Sequence, residues 1–288
     1  MDKLSIETVV RIFLAGLAMI FAGTGYACAD EVEQEHADYM KYVQWGDEAV
    51  GRKNWEEAIA YYREAMHLEP SSPQNVMLLS NVGMIQHYMG EDSLALHTLS
   101  EARAIAPASV VILRNRARVL AAMGRAADAL NDYDMLASMD STYADTYYDR
   151  AALKLREGRL KEAEADAARL LELEPSDLGG KLLMGVILSG SGRPADAVPL
   201  YSALIKERPE AVYYAARAMC YLAMDYLQEA SDDIACGLEL DPDDGELYYC
   251  RACLNKLRFR EDDARADAAR AVSLGVAPQR VAALFGRK

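Results

Sequence analysis

The chain has 288 residues, of which 26% are charged and 52% are hydrophobic, and its formal net charge is −14 at pH 7. This acidic balance argues against nucleic-acid binding, because contact with phosphate backbones requires clustered lysine and arginine side chains. The sequence contains no basic stripe with interleaved aromatic residues.

Residues 1–29 have the pattern of an export signal. Residues 12–29 contain no charged side chain, and Ala27-Cys28-Ala29 has the small-x-small form of a cleavage site. Three fates stay open for this segment: cleavage after Ala29, lipidation at Cys28 as in bacterial lipoproteins, or retention as a membrane anchor. Export predicts a location in the periplasm or cell envelope, and the last two fates would add a membrane tether.

Residues 30–38 follow the signal and contain five acidic side chains. A run of like charges is typical of a solvated segment, so we predict an acidic spacer here, with sorting or partner binding as the alternative.

The rest of the chain repeats itself. Alanines recur with steps of 37, 34, 34, 34, 33 and 34 residues, at Ala58, Ala95, Ala129, Ala163, Ala197, Ala230 and Ala264. A second series of small residues lies twelve positions upstream in the same register, at Gly46, Gly83, Ala117, Ala151, Gly185, Ala218 and Ala252. A fixed period of this length indicates a repeat architecture, in which each unit buries its apolar face against its neighbours.

Each unit is predicted to contain two helices. In the first unit the i, i+3, i+4, i+7 spacing of one apolar helix stripe is followed by Trp55, Ala58, Ile59 and Tyr62. Proline closes most units. Small residues are expected where two helix axes cross, since axes about 8–10 Å apart leave no room for a large side chain.

A helix pair of this length and punctuation resembles the tetratricopeptide repeat (TPR) family. The first unit carries the resemblance best, through Tyr42, Trp45, Gly46, Ala58, Tyr62 and Pro70. The resemblance implies an all-α, right-handed superhelical solenoid of seven antiparallel helix pairs with a short C-terminal capping helix. The predicted repeats are residues 39–72, 76–109, 110–143, 144–177, 178–210, 211–244 and 245–278, and the cap is residues 279–288.

Two irregularities stand out in the repeats. Three extra residues in the first step are predicted to add a turn before the second repeat, with a helix that starts early at Pro73. The fifth repeat contains five glycines between 179 and 192 and has Pro199 inside its second helix, so we predict the weakest joint of the array there, either a tolerated kink or a hinge.

Function is predicted to lie on the first helices, because these line the concave groove in TPR arrays. The resemblance assigns to this groove Arg114, Asn115, Arg118, Tyr148, Asp149, Leu182, Leu183, Val186, Val212, Met219 and Tyr249. We expect an apolar or amphipathic protein segment to bind along the apolar members, with an acidic group at Arg114 or Arg118. Family members that grip acidic chaperone tails have cations where Val43 and Ser80 stand here, which argues against that ligand.

Four cysteines lie in the last two repeats, namely Cys220, Cys236, Cys250 and Cys253. In an exported protein an even number of cysteines is consistent with disulfides. The alternatives are buried thiols that pack as small hydrophobes, or a four-cysteine zinc site. Cys250 and Cys253 are predicted to share one helix, which is not the usual setting of a redox or zinc motif.

The sequence has none of the familiar catalytic motifs. It lacks a nucleophile elbow, a phosphate-binding loop and a His-Glu-x-x-His helix, and the repeats leave no space for a catalytic domain. We therefore predict a non-enzymatic, exported scaffold without a cofactor that binds a protein or peptide, in an envelope assembly. The alternatives are a membrane-tethered lipoprotein component of a larger complex and a cysteine-based metal or redox module.

Overall fold

A computed structural model describes residues 33–286, and every regular element in that range is an α-helix. Helix α1 spans residues 33–51. The following helices are α2 (Trp55–Leu68), α3 (Asn75–Tyr88), α4 (Asp92–Ile105), α5 (Val110–Ala122), α6 (Ala126–Met139), α7 (Ala144–Arg156), α8 (Leu160–Leu173), α9 (Leu178–Gly190), α10 (Pro194–Glu207), α11 (Ala211–Ala223), α12 (Leu227–Leu240), α13 (Gly245–Leu257), α14 (Glu261–Ser273) and α15 (Pro278–Gly286). The odd-numbered helices α1 to α13 are the first helices of the seven predicted repeats, and the even-numbered helices α2 to α14 are the second helices.

The chain divides into two compact units, and the division falls between Asp132 and Tyr133 in the sequence of α6. In the first unit α3 packs against α4, and α5 packs against α3 and α4. Tyr39 and Tyr62 are buried in its core together with aliphatic side chains of α3.

In the second unit each first helix packs against the second helix of its own repeat, in the pairs α7 with α8, α9 with α10, α11 with α12 and α13 with α14. Neighbouring first helices also touch, since α9 contacts both α7 and α11, and α11 contacts α13. Helix α15 packs Val281 against a cluster that contains Ala252 and Ala268. This arrangement confirms the predicted all-α helix-pair fold and its C-terminal capping helix.

Two boundaries differ from the sequence-based expectation. Helix α1 begins at residue 33, inside the predicted acidic spacer, because His36 pairs with Glu69 across 2.7 Å and Tyr39 is buried. The extra residues before the second repeat form a turn, in which the Asn75 N–H donates to the Ser72 carbonyl, and α3 begins only at Asn75. An early helix start at Pro73 was therefore the wrong expectation.

The predicted weak joint in the fifth repeat is regular in structure. Helix α10 contains Pro199 and runs unbroken from Pro194 to Glu207. Gly185 is required by close packing, since a Cβ atom there would lie 2.8 Å from Cε1 of Tyr201, which is only 1% exposed. The glycine thus makes room for a buried aromatic ring.

Gly185→Val should lower the free energy of unfolding of this region by about 1–3 kcal/mol, because the added side chain would overlap the Tyr201 ring. Gly190→Val in the same helix is the matched control, since a Cβ atom there meets nothing closer than 3.9 Å. Urea unfolding followed by circular dichroism measures both variants. Equal losses for the two would contradict the packing explanation.

Four repeats carry a partly buried arginine–aspartate pair that links the two helices. In each pair Nε and Nη2 of the arginine donate to the two carboxylate oxygens of an aspartate sixteen residues later, at distances of 2.5–3.0 Å. The pairs are Arg116–Asp132 in the first unit, and Arg150–Asp166, Arg217–Asp233 and Arg251–Asp267 in the second. Hydrogen bonding to Asp233 raises the pKa of the Arg217 guanidinium.

The other repeats fill these two places without ions. The first uses Trp45 and Tyr61, whose ring centroids lie 5.5 Å apart, and the fifth uses Met184 and Leu200. Asp233 is 5% exposed and lies against α11, although it follows another acidic residue, Asp232, in the sequence.

Candidate functional site

The candidate site in the second unit is an apolar surface made by first helices. Tyr148 on α7, Val186 on α9 and Val212 on α11 are 39%, 41% and 48% exposed. Leu182 on α9 and Met219 on α11 are partly buried. We call these five residues the first-helix surface. Large apolar groups that are exposed on three consecutive first helices favour an interaction surface.

Two predicted groove residues do not belong to this exposed surface. Leu183 is 8% exposed and packs in a core cluster with Ala163 and Ile187, because it points from α9 toward the second helix of the preceding repeat. Tyr249 is partly covered by the capping helix, where the Arg280 guanidinium lies 4.2 Å from its ring centroid. Leu183 is therefore a core residue and not a groove residue.

An apolar cavity of about 380 Å³ opens beside the first-helix surface. Met219, Cys220 and Ala223 of α11 line one side, and Ser189 and Pro194 line the other. The Ser189 Oγ and Cys220 Sγ atoms are 3.2 Å apart, and Ser189 also donates to the Gly185 carbonyl at 2.8 Å. The polar atoms at the cavity wall are thus already paired, which leaves an apolar space.

The cavity has a sequence origin. The place of Cys220 in the repeat is taken by Ile85, Val119, Leu153, Ile187 and Leu254 in five other repeats. The place of Ser189 is taken by Leu155 and Leu222 in the fourth and sixth repeats. Smaller side chains at both places leave unfilled volume between the fifth and sixth repeats. Comparison of the repeats with one another is the signal that could have located this cavity from the sequence.

The predicted groove residues of the first unit are polar. Asn115 donates to the Ser80 hydroxyl at 3.0 Å, so these two side chains meet as neighbours on α5 and α3. Arg118 is exposed and Arg114 is half-buried. In the second unit Asp149 is half-buried on α7. The expectation that one ligand reaches an arginine of the first unit and the apolar groups of the second stays a prediction.

The four cysteines of the last two repeats are free thiols in the structure. Cys220 and Cys250 are buried, and burial raises the pKa of both thiols and of Cys253. Cys236 is exposed on α12. The disulfide stays a prediction, and the placement of Cys220 and Cys250 fits the alternative of small buried hydrophobes. Cys28 lies outside the described residues, as does the whole export signal.

N-ethylmaleimide should modify Cys236 roughly tenfold or more faster than the other three cysteines at pH 7.5, because it alone is exposed and burial keeps the others protonated. Pulsed labelling of the native protein followed by peptide mass spectrometry measures the rates. Equal rates for Cys220 and Cys236 would contradict the burial, and an unreactive Cys236 in unreduced protein would reveal a disulfide.

Within residues 33–286, no group of three or more histidine, cysteine, aspartate or glutamate side chains is arranged to hold a metal ion. Three histidines there contact carboxylates: His36 with Glu69, His87 with Asp92 and His97 with Glu101. None of the helices in the described range is long and apolar enough to cross a membrane.

The structure is similar to solved TPR proteins. A tetratricopeptide repeat protein from Parabacteroides merdae ATCC 43184 aligns with a TM-score of 0.70 at 25% identity, over 86% of this chain and 98% of that one. The chain has the tetratricopeptide repeat fold. YrrB, a TPR protein with an unusual peptide-binding site, aligns with a TM-score of 0.51 at 18% identity, over 66% of this chain and 98% of its own.

One curated relative shows partial similarity in sequence. The photosystem I assembly protein Ycf3 of Prochlorococcus marinus (strain MIT 9215) is 28% identical over 120 residues. The match covers 42% of this chain and 64% of the relative, so this chain spans less than two thirds of that protein. No family model matches the chain.

Proposed function

We propose that the protein is a non-enzymatic scaffold that binds an apolar or amphipathic segment of a partner protein along the first-helix surface. The observation that carries this proposal is the cavity lined by Ser189, Met219 and Cys220, because Met219 belongs to the first-helix surface. A cavity of this size accepts one large aliphatic or aromatic side chain. The peptide-binding site of YrrB and the assembly role of Ycf3 support binding of a protein segment by this fold.

Apolar burial is the expected driving force for this binding. Burying one valine or leucine side chain contributes about 1.5–3 kcal/mol. Two or three such side chains contribute at most about 9 kcal/mol before the cost of association and ordering is subtracted. A segment of micromolar affinity, about −8.2 kcal/mol, therefore has to bury further apolar side chains on the first-helix surface.

Selection of peptides from a random display library on the full chain tests the proposal. We expect enriched peptides to share two or more large apolar residues at helical or alternating spacing, and to bind with saturable micromolar affinity. Enrichment of purely polar peptides, or no enrichment, would contradict the proposal.

Cys220→Leu tests the part played by the cavity. Leucine is the residue found at this place in the fourth and seventh repeats, so the variant should fold and fill the cavity. We expect it to lower the affinity for the selected peptides about tenfold, because one peptide side chain would no longer be buried in the cavity. Isothermal titration calorimetry measures the affinity, and an unchanged value would show that the cavity is not occupied.

We further propose that the protein is exported to the periplasm or cell envelope and works there in an assembly, either free or tethered through Cys28. The uncharged stretch 12–29 supports this location. The intact mass of the native protein distinguishes the fates, because cleavage after Ala29, lipid attachment at Cys28 and retention of the full chain give three different masses. A full-length, unmodified protein in the cytoplasm would contradict export.

A further inference from the structure

The first unit contains a second cavity, of about 380 Å³, with a different chemical character. It lies among α4, α5 and α6, and three arginines line it: Arg103, Arg116 and Arg125. The acidic residues of its wall are Asp128 and Asp132. The charged side chains around this cavity therefore sum to +1, since three positive groups face two negative ones, in a chain whose net charge is −14.

Arg103 is an exception to the repeat pattern. It stands eight residues after the recurrent alanine Ala95, and the same place in the other six repeats is apolar, with Met66, Ala137, Leu171, Ile205, Leu238 and Val272. Several of these, including Ile205 and Leu238, pack against the cores of their units. Arg103 instead has 35% of its side chain exposed and places Nη1 3.3 Å from Asp132. An arginine in a packing position brings positive charge into the cavity and leaves the space unfilled.

Arg116 presents one edge of its guanidinium without a protein acceptor. Its Nε and Nη2 atoms bind Asp132 at 2.8 and 2.6 Å. In the corresponding arginines of the fourth and sixth repeats the remaining Nη1 donates to Asp134 and to Ser202, both at 2.8 Å. Ser100 is the residue at that place beside Arg116, and it donates its own hydroxyl to the Leu96 carbonyl. Among residues 33–286 no acceptor pairs with Arg116 Nη1.

Asp132 fixes the geometry of this cluster. Its side chain is 1% exposed and forms ion pairs with both Arg103 and Arg116, so it holds the two guanidiniums at the cavity wall. Arg125, which also lines the cavity, pairs with Asp128 at 2.6 Å. The arginines come from α4, from α5 and from the turn before α6. Three guanidiniums in such a setting favour an anion with oxygens in several directions, because each fork binds phosphate-type oxygens through paired N–H groups.

We infer that this cavity binds a phosphate group, either free or carried on a small molecule or a phosphorylated side chain. The oxyanion accepts from Nη1 of Arg116 and from the guanidiniums of Arg103 and Arg125, and it neutralises the excess positive charge of the cavity. All the residues that line this cavity belong to the first unit.

Titration of the full chain with inorganic phosphate, at constant ionic strength against chloride, tests the inference. We expect saturable binding by calorimetry and a rise in thermal midpoint. Arg103→Leu should fold, because leucine occupies this place in the fourth and sixth repeats. We expect it to lower the affinity for phosphate at least tenfold. The matched control is Arg169→Leu, since Arg169 on α8 has a similar side-chain exposure of 38% and lies outside the cavity. The control should leave phosphate affinity unchanged.

A phosphoserine peptide and its unphosphorylated form supply a second arm. Tighter binding of the phosphoserine peptide than of inorganic phosphate would identify a modified protein as the source of the group, and equal affinity would identify a small ligand. Absence of saturable binding by either probe, or equal phosphate affinities of Arg103→Leu and the unaltered chain, would overturn the inference.

Discussion

Asp233→Ala should lower the free energy of unfolding of the sixth repeat by about 3 kcal/mol. Arg217 donates to Asp233 through two nitrogens and to Ser202 through the third, and only 18% of its side chain is exposed. Removal of the carboxylate leaves a largely buried guanidinium without its partner, a change that costs about 3–5 kcal/mol in proteins. The partial exposure of Arg217 favours the lower end of that range.

The chain itself supplies the compensating variant. The fifth repeat has Met184 and Leu200 where the sixth has Arg217 and Asp233. Arg217→Met combined with Asp233→Leu therefore copies an arrangement that already packs in this protein. We expect the double variant to lie within about 1 kcal/mol of the unaltered chain, because replacement of a buried ion pair by apolar residues is often neutral.

Native-state hydrogen exchange of α11 and α12 amides, together with urea unfolding, measures these changes locally, as repeat arrays need not unfold in one step. Glu172→Ala is the control, since its pair with Arg169 is exposed and is expected to contribute less than about 1 kcal/mol. A double variant as unstable as Asp233→Ala would contradict the assigned role of the pair.

Val186→Glu combined with Met219→Glu should lower the affinity for the selected peptides by about 100-fold, which corresponds to roughly 2.7 kcal/mol of binding free energy. Each glutamate removes apolar contact area and places a charge that the bound segment would have to desolvate. Val186 is 41% exposed, so its replacement leaves the core intact, and helix content should not change. Calorimetry gives the affinities and circular dichroism gives the helix content.

Leu240→Glu is the matched control for these charges. Leu240 is 51% exposed at the end of the second helix α12, away from the first-helix surface. The Leu240→Glu variant should bind the selected peptides with an affinity within twofold of that of the unaltered chain. Equal losses for the control and the double glutamate variant would mean that net charge, and not the site, governs binding.

The helix pairs were predictable because every repeat has the same pattern of small and apolar residues. Small residues at fixed intervals mark the helix crossings, and Gly185 shows why one crossing needs glycine where others tolerate alanine. The start of α1 was not predictable from charge alone, since acidic residues on the exposed side of a helix have the same composition as a solvated spacer. The helix begins before Tyr39 because Tyr39 is buried and His36 contacts Glu69, and both contacts are visible only in the folded structure.

The candidate site was predictable in part. Positions within the repeat assigned both Val186 and Leu183 to the groove, yet only Val186 is exposed and Leu183 packs in the core. Neighbouring residues on a helix differ by about 100° in direction, so an error of one position reverses exposure. The arginine–aspartate pairs required a comparison of residues sixteen apart, and the two cavities required recognition of single repeats that depart from the common pattern.

Methyl NMR of the full chain, titrated with a selected peptide, tests the central claim most directly. We expect the largest shifts at the methyl groups of Leu182, Val186, Val212 and Met219, with little change at Leu240. Shifts confined to the second helices, with the first-helix surface unperturbed, would contradict it.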